Sequence, residues 1–126
     1  MEKRIIIVDD APIIRLMLKD ILIAAGGYEI IAEGSTGKEA IVLYRQFKPD
    51  LVTMDLTMPD MDGIEALGEI MKFDPQARVL MVTAIDQRDA LMQAIRLGAT
   101  DYIVKPFETE RVLSAIEKAF NSDFSI

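Results

Sequence analysis

The sequence predicts an α/β fold in which five βα units wind into one doubly wound parallel sheet, a three-layer sandwich. Three observations predict it. Short runs that are apolar throughout recur along the chain, apolar residues between them fall at helical spacing, and Gly, Pro or capping residues punctuate the boundaries. Strands without a polar face suit a parallel sheet covered on both sides. Right-handed crossovers then place helices above and below it.

The elements follow in order. Ile5-Ile6-Ile7-Val8 is the first strand. Leu16, Met17 and Ala24 contribute to the apolar face of the first helix, with Pro12 in its opening turn and Gly26-Gly27 beyond its end. Residues 28–32 form the second strand. Thr36 and Glu39 match a capping box, and Ala40, Leu43, Tyr44 and Phe47 continue at i, i+3, i+4 and i+7. Residues 50–54 make the third strand, and Ile64, Leu67 and Met71 the next helical stripe. Val79-Leu80-Met81-Val82 is the fourth strand. Asp86 is placed to cap a helix carrying Leu91, Ala94 and Ile95, which Gly98 ends. Tyr102-Ile103-Val104 is the fifth strand, and Val112, Ala115, Ile116 and Ala119 mark the last helix. Gly68 falls inside a helix, where it costs about 1 kcal/mol relative to alanine.

Composition narrows the chemistry. A chain of 126 residues with 51% apolar and 28% charged residues suits one domain with one core. It holds no cysteine and no histidine, which removes disulfides, thiolate or imidazole metal ligands and a histidine base. A net charge of −7 argues against direct nucleic-acid binding. No apolar run approaches the roughly 20 residues of a membrane span, and the opening apolar stretch stops at Asp9-Asp10. The expected compartment is the cytoplasm.

In such sheets, sites form at the carboxyl ends of the strands. The first strand ends in Asp9 and Asp10, the third in Asp55, the fourth in Thr83 and the fifth in Lys105. Singly, each is an ordinary turn, cap or solvated residue, and Tyr102 an ordinary core aromatic. As a set on one edge they point to chemistry. Like-charged carboxylates about 4 Å apart cost on the order of 4 kcal/mol per pair, so the cluster calls for raised pKa values or a cation. Oxygen-only ligands suit Mg²⁺, with Asp9 and Asp10 helping to hold it and Asp55 at the open side. A carboxylate can act as nucleophile and form an aspartyl phosphate. Lys105 and Thr83 would supply charge and a donor to the incoming oxygens, and the small Ala84 would leave room.

Val8-Asp9-Asp10, the block from Asp55 through Met58-Pro59 to Asp62-Gly63, Thr83-Ala84 and Lys105-Pro106-Phe107 together resemble the receiver domains of two-component response regulators. The likeness spans essentially the whole chain and is nearest to stand-alone chemotaxis-type (CheY-like) regulators. It implies a flavodoxin-like sheet of order 2-1-3-4-5, with residues 1–121 as the receiver domain and 122–126 as a short tail. It implies Asp55 as the phosphorylated residue, and Mg²⁺ held by Asp10, with Asp9 assisting, by Asp55 and by the Thr57 carbonyl. It assigns Lys105 to the phosphoryl group, Thr83 and Tyr102 to the switch, and a cis peptide to Pro106. Thr57 and Ile85 would tune lifetime, an apolar Ile85 prolonging it. The implied donor is a sensor histidine kinase or histidine phosphotransfer protein. The implied output is a downstream protein bound through the face made by the fourth helix, the fifth strand and the last helix, here Arg88, Gln93, Arg96, Tyr102 and Arg111. The chain would catalyse only its own phosphorylation and dephosphorylation. It would be a monomer, with dimerisation on phosphorylation the alternative.

Three other readings fit less of the sequence. An aspartate-nucleophile phosphatase wants D-x-D-x-T after the first strand, where this chain has Asp9-Asp10-Ala11-Pro12. A flavin or nucleotide module wants a phosphate loop. The segment from Gly34 to Lys38 resembles part of one, but Ala32 and Glu39 stand where Gly and Ser or Thr belong. A receiver cut from a longer, DNA-binding regulator is the third.

Overall fold

The first strand supplies both cores. Its side chains alternate, so Ile5 and Ile7 enter one apolar cluster while Ile6 and Val8 enter the other. A computed structural model describes residues 2–58 and 60–121 of the chain. Its elements are β1 (Lys3–Val8), α1 (Pro12–Ala25), β2 (Tyr28–Gly34), α2 (Gly37–Phe47), β3 (Leu51–Asp55), α3 (Gly63–Phe73), β4 (Val79–Ala84), α4 (Arg88–Leu97), β5 (Asp101–Lys105) and α5 (Thr109–Asn121). The strands pair in parallel in the order β2-β1-β3-β4-β5, as the resemblance implied. One cluster lies under α1 and α5, with Leu18, Leu22, Val112 and Ile116. The other lies under α2, α3 and α4, with Tyr44, Leu67, Ile70 and Leu91. Residues 122–126, expected as a tail, lie outside the described residues, as does Pro59 of the motif.

Local chemistry sets the boundaries. Thr36 caps α2 by accepting from the Glu39 N–H at 3.1 Å, and Glu39 reaches back to the Ser35 N–H at 3.0 Å, one residue earlier than a strict capping box. Gly26 ends α1 at φ +78° and Gly98 ends α4 at φ +116°. Asp62 caps α3 through the Glu65 N–H at 2.8 Å.

Two expectations fail. Leu16, Met17 and Ala24 do not face the core: all three are exposed, and Leu18 and Leu22 are the buried residues of α1. The helix is apolar on almost every side, so spacing alone could not choose its buried face. Asp86 does not cap α4. Gln87 occupies the N-cap position, with no capping bond from its side chain.

Two glycines in one helix have opposite roles. A Cβ on Gly63 would lie 2.2 Å from the Asp55 carbonyl oxygen, so the start of α3 packs directly on the end of β3. A Cβ on Gly68 would meet nothing within 4 Å. Gly68→Ala is therefore expected to stabilise the fold by about 0.5–1 kcal/mol. Gly63→Ala is expected to destabilise it by about 1–3 kcal/mol or more, because backbone must move. Denaturant midpoints of the two variants against the parent check both signs.

Candidate functional site

Three strand ends build the site. Asp9 follows β1 and is 1% exposed. Its Oδ1 accepts from the Ala11 N–H at 2.9 Å, which fixes the carboxylate at the mouth of the loop. Its Oδ2 has no hydrogen-bond partner and lies 3.1 Å from Lys105 Nζ as an ion pair. Asp10 beside it is exposed. Asp55 is the last residue of β3 and 5% exposed, with Oδ1 3.4 Å from Lys105 Nζ. Lys105 thus reaches both buried carboxylates from the end of β5, and the Lys105–Pro106 peptide is cis as expected.

Charge is not balanced there. One ammonium faces Asp9 and Asp55, and Asp10 adds a third carboxylate. Burial pushes the Asp55 carboxyl up to about 6; the Asp9 charge adds to the rise, and Lys105 opposes it. Carboxylate oxygens of Asp9, Asp10 and Asp55 lie within 4.8 Å of one another. An all-oxygen set with more carboxylates than the one ammonium can balance fits a hard divalent cation such as Mg²⁺.

Thr83, Ala84 and Thr57 border this cluster. β3 and β4 pair Asp55 with Val82, which puts Thr83 next along the edge, and β4 and β5 pair Ala84 with Lys105. Thr83 is 1% exposed, and its hydroxyl lies 3.1 Å from the Ala84 carbonyl oxygen. The Thr57 N–H lies 3.5 Å from Asp55 Oδ1, so Thr57 belongs to the same loop. Tyr102 is not gathered into the cluster. It is 37% exposed and lines a groove with Thr83, Leu91 and Ile95, with the Arg111 guanidinium over its ring.

Two contributors escaped the sequence reading. Asp60 accepts from the Gly37 and Lys38 N–H groups at 3.0 and 3.2 Å, so the loop after β3 caps α2 from outside. Gln87 reaches Thr57 and the Thr83-Ala84 turn. Neither lies in a local pattern that announces the contact. Among the described residues no helix is long and apolar enough to cross a membrane.

The raised pKa of Asp55 is a stability statement. The unfolded value is about 3.9, so the native state retains a proton that the unfolded chain has lost between about pH 4 and pH 6. The resulting destabilisation is absent below that window, grows as pH rises through it and is complete above it. Without metal, Asp55→Asn is expected to be more stable than the parent by about 1–3 kcal/mol at pH 7.5, with the advantage fading toward pH 4. Mg²⁺ is expected to stabilise the parent more than the variant. Urea melts across pH, with EDTA or Mg²⁺, check this.

Comparison with known proteins follows this geometry. Residues 5–117 match the response regulator receiver domain family. The chain is 52% identical over 121 residues to the chemotaxis protein CheY of Bacillus subtilis, covering 96% of this chain and 100% of that protein. It is 51% identical over 118 residues to the CheY of Thermotoga maritima, covering 94% and 98%. Its fold superposes at a TM-score of 0.89 on the crystal structure of a CheX–CheY–BeF₃–Mg²⁺ complex from Borrelia burgdorferi, with 36% identity over 94% of this chain and 89% of that one. The strand ends, the acidic cluster and these likenesses agree, and the chain belongs to the response regulator receiver domains of two-component signalling, of the CheY-like kind.

Proposed function

We propose that Asp55 accepts a phosphoryl group from a phosphohistidine on a separate protein and that the modified chain binds a downstream partner. The observation that carries this reading is the meeting of Asp9, Asp10, Asp55 and Lys105 at one sheet edge. The chain has no histidine, so the donor histidine must be elsewhere, on a sensor kinase or a histidine phosphotransfer protein.

Asp9, Asp10, Asp55 and the Thr57 carbonyl would hold Mg²⁺. The bound ion would supply positive charge to the carboxylates and to phosphoryl oxygens. An Asp55 oxygen then attacks phosphorus, the bond to the donor's imidazole nitrogen breaks, and that nitrogen keeps the electron pair. The raised pKa of Asp55 makes a cation useful before reaction, because the nucleophile must be ionised. Lys105 already stands within reach of Asp55 and turns its ammonium to the new oxygens. Thr83 and the Ala84 N–H supply donors.

Phosphorylation adds about −1.5 to −2 charges and new acceptor oxygens. Thr83 would exchange its present contact with the Ala84 carbonyl oxygen for a phosphoryl oxygen in that state, which biases a two-state element. The groove between Thr83 and Tyr102 gives the switch a physical route, since Tyr102 starts exposed and can turn inward as Thr83 shifts. Arg88, Gln93, Arg96 and Arg111 are exposed on the same face and would form the output surface with Tyr102. The chemotaxis names of the two CheY relatives support a chemotaxis output. CheX in the Borrelia complex exemplifies a protein that engages such a chain. We read the chain as a cytoplasmic monomer acting on no substrate but its own Asp55.

Intact-mass analysis after incubation with acetyl phosphate tests the reading. The parent is expected to gain one hydroxylamine-labile phosphoryl group only with Mg²⁺, and Asp55→Asn none. A parent that stays unmodified and binds no beryllofluoride would sink the proposal. Ile85 is 85% exposed beside the site, and Ile85→Glu is expected to shorten the phosphoryl lifetime several-fold in the same assay. An unchanged decay rate would remove Ile85 from the account.

A further inference from the structure

The turn between β4 and α4 carries a side chain that the mechanism above does not use. Gln87 stands at the N-cap of α4 and caps nothing. Its carboxamide reaches back toward the sheet edge. Oε1 accepts from the Ala84 backbone N–H at 3.0 Å and lies 3.4 Å from the Thr83 hydroxyl. Nε2 donates to Thr57 Oγ1. One neutral side chain therefore ties the loop after β3 to the turn after β4. The Thr83 hydroxyl has a single hydrogen, for which the Ala84 carbonyl oxygen at 3.1 Å also competes.

On the phosphoacceptor reading above, the Ala84 N–H and the Thr83 hydroxyl are the donors that a phosphoryl oxygen on Asp55 would use. An N–H serves one good acceptor at a time. A carboxamide oxygen and a phosphoryl oxygen are both acceptors, so they exclude one another at that seat. We propose that Gln87 is a positioning residue whose carboxamide holds the phosphoryl-oxygen seat in the unmodified chain. Modification of Asp55 must evict it and, in doing so, cuts the tie between Thr57 and the β4–α4 turn. This rests on Asp55 being the phosphoacceptor.

The competition has a sign that a purely structural role would not produce. Beryllofluoride with Mg²⁺ is the probe, its affinity read by fluorine NMR. Gln87→Ala removes the competitor and is expected to bind about threefold to tenfold more tightly than the parent, the worth of one or two neutral hydrogen bonds. Gln87→Asn keeps the amide but is one methylene too short, and is expected to follow the alanine variant. It also carries the test if the alanine variant folds poorly. Gln87→Glu keeps an acceptor and adds negative charge, so it is expected to bind less tightly than the parent. In the metal-free chain the Ala84 N–H is expected to exchange with solvent faster in the alanine and asparagine variants.

Affinity that falls or stays level in both shortened variants, or an unchanged Ala84 exchange rate, overturns the proposal. If the parent binds beryllofluoride and accepts phosphoryl while the shortened variants gain nothing, only the role of Gln87 fails. If the parent does neither, the phosphoacceptor reading fails and this inference falls with it.

Discussion

Three carboxylates crowded at the end of a sheet, with one ammonium between two of them, are the constraint around which the rest of the site is arranged. Burial alone would drive Asp55 toward its neutral form, and Asp9 pushes in the same direction. Lys105 resists but cannot balance the cluster. The excess negative charge sets this edge apart, because it creates a demand for a cation. Elsewhere on the described surface, carboxylates are relieved by ordinary means. Glu33, for example, sits between Lys19 and Arg15, and hydrogen bonding from Lys19 is the main reason its carboxyl lies below the usual range.

Such a cluster demands a rigid frame. Asp55 is the last residue of a strand buried along its whole length, and α3 starts so close to its carbonyl that only glycine fits at position 63. The intervening loop is pinned at Asp60 to the start of α2, and Gly37 there has no room for a side chain beside Met61. The turn after β4 is less enclosed: its residues 84 to 86 are exposed, and the groove beside it is lined in part by Leu91, Met92 and Ile95. Asp55 thus stands on close-packed support, with a more exposed turn beside it.

How much of this was legible depends on the range of the interaction. The strand ends were, because a parallel sheet brings the residues after each apolar run to one edge, and Asp9, Asp55, Thr83 and Lys105 meet there. The buried face of α5 was legible too, since Val112, Ala115, Ile116 and Ala119 recur at helical spacing and all are buried. The face of α1 was not, because a helix apolar nearly all round offers no periodic contrast. Asp86 matched a capping pattern but lost the position to Gln87, since α4 starts one residue later. Asp60 and Gln87 act across 23 and 30 residues of sequence, through a carboxylate and a carboxamide that fit no short motif.

The central place of β1 has a consequence for how the chain acquires its structure. β1 is made first, yet its Ile5 pairs with Ile30 on one side and Leu51 on the other. During synthesis from the amino terminus, β1, α1 and β2 can associate early, but the apolar side of β1 toward α2 and α3 stays uncovered until β3 and its flanking helices emerge. Parallel pairing over such sequence distances is slow, because loop closure precedes its reward. Lys105 arrives only with the fifth strand, so the ion pairs that tie Asp9 and Asp55 together are completed late in synthesis.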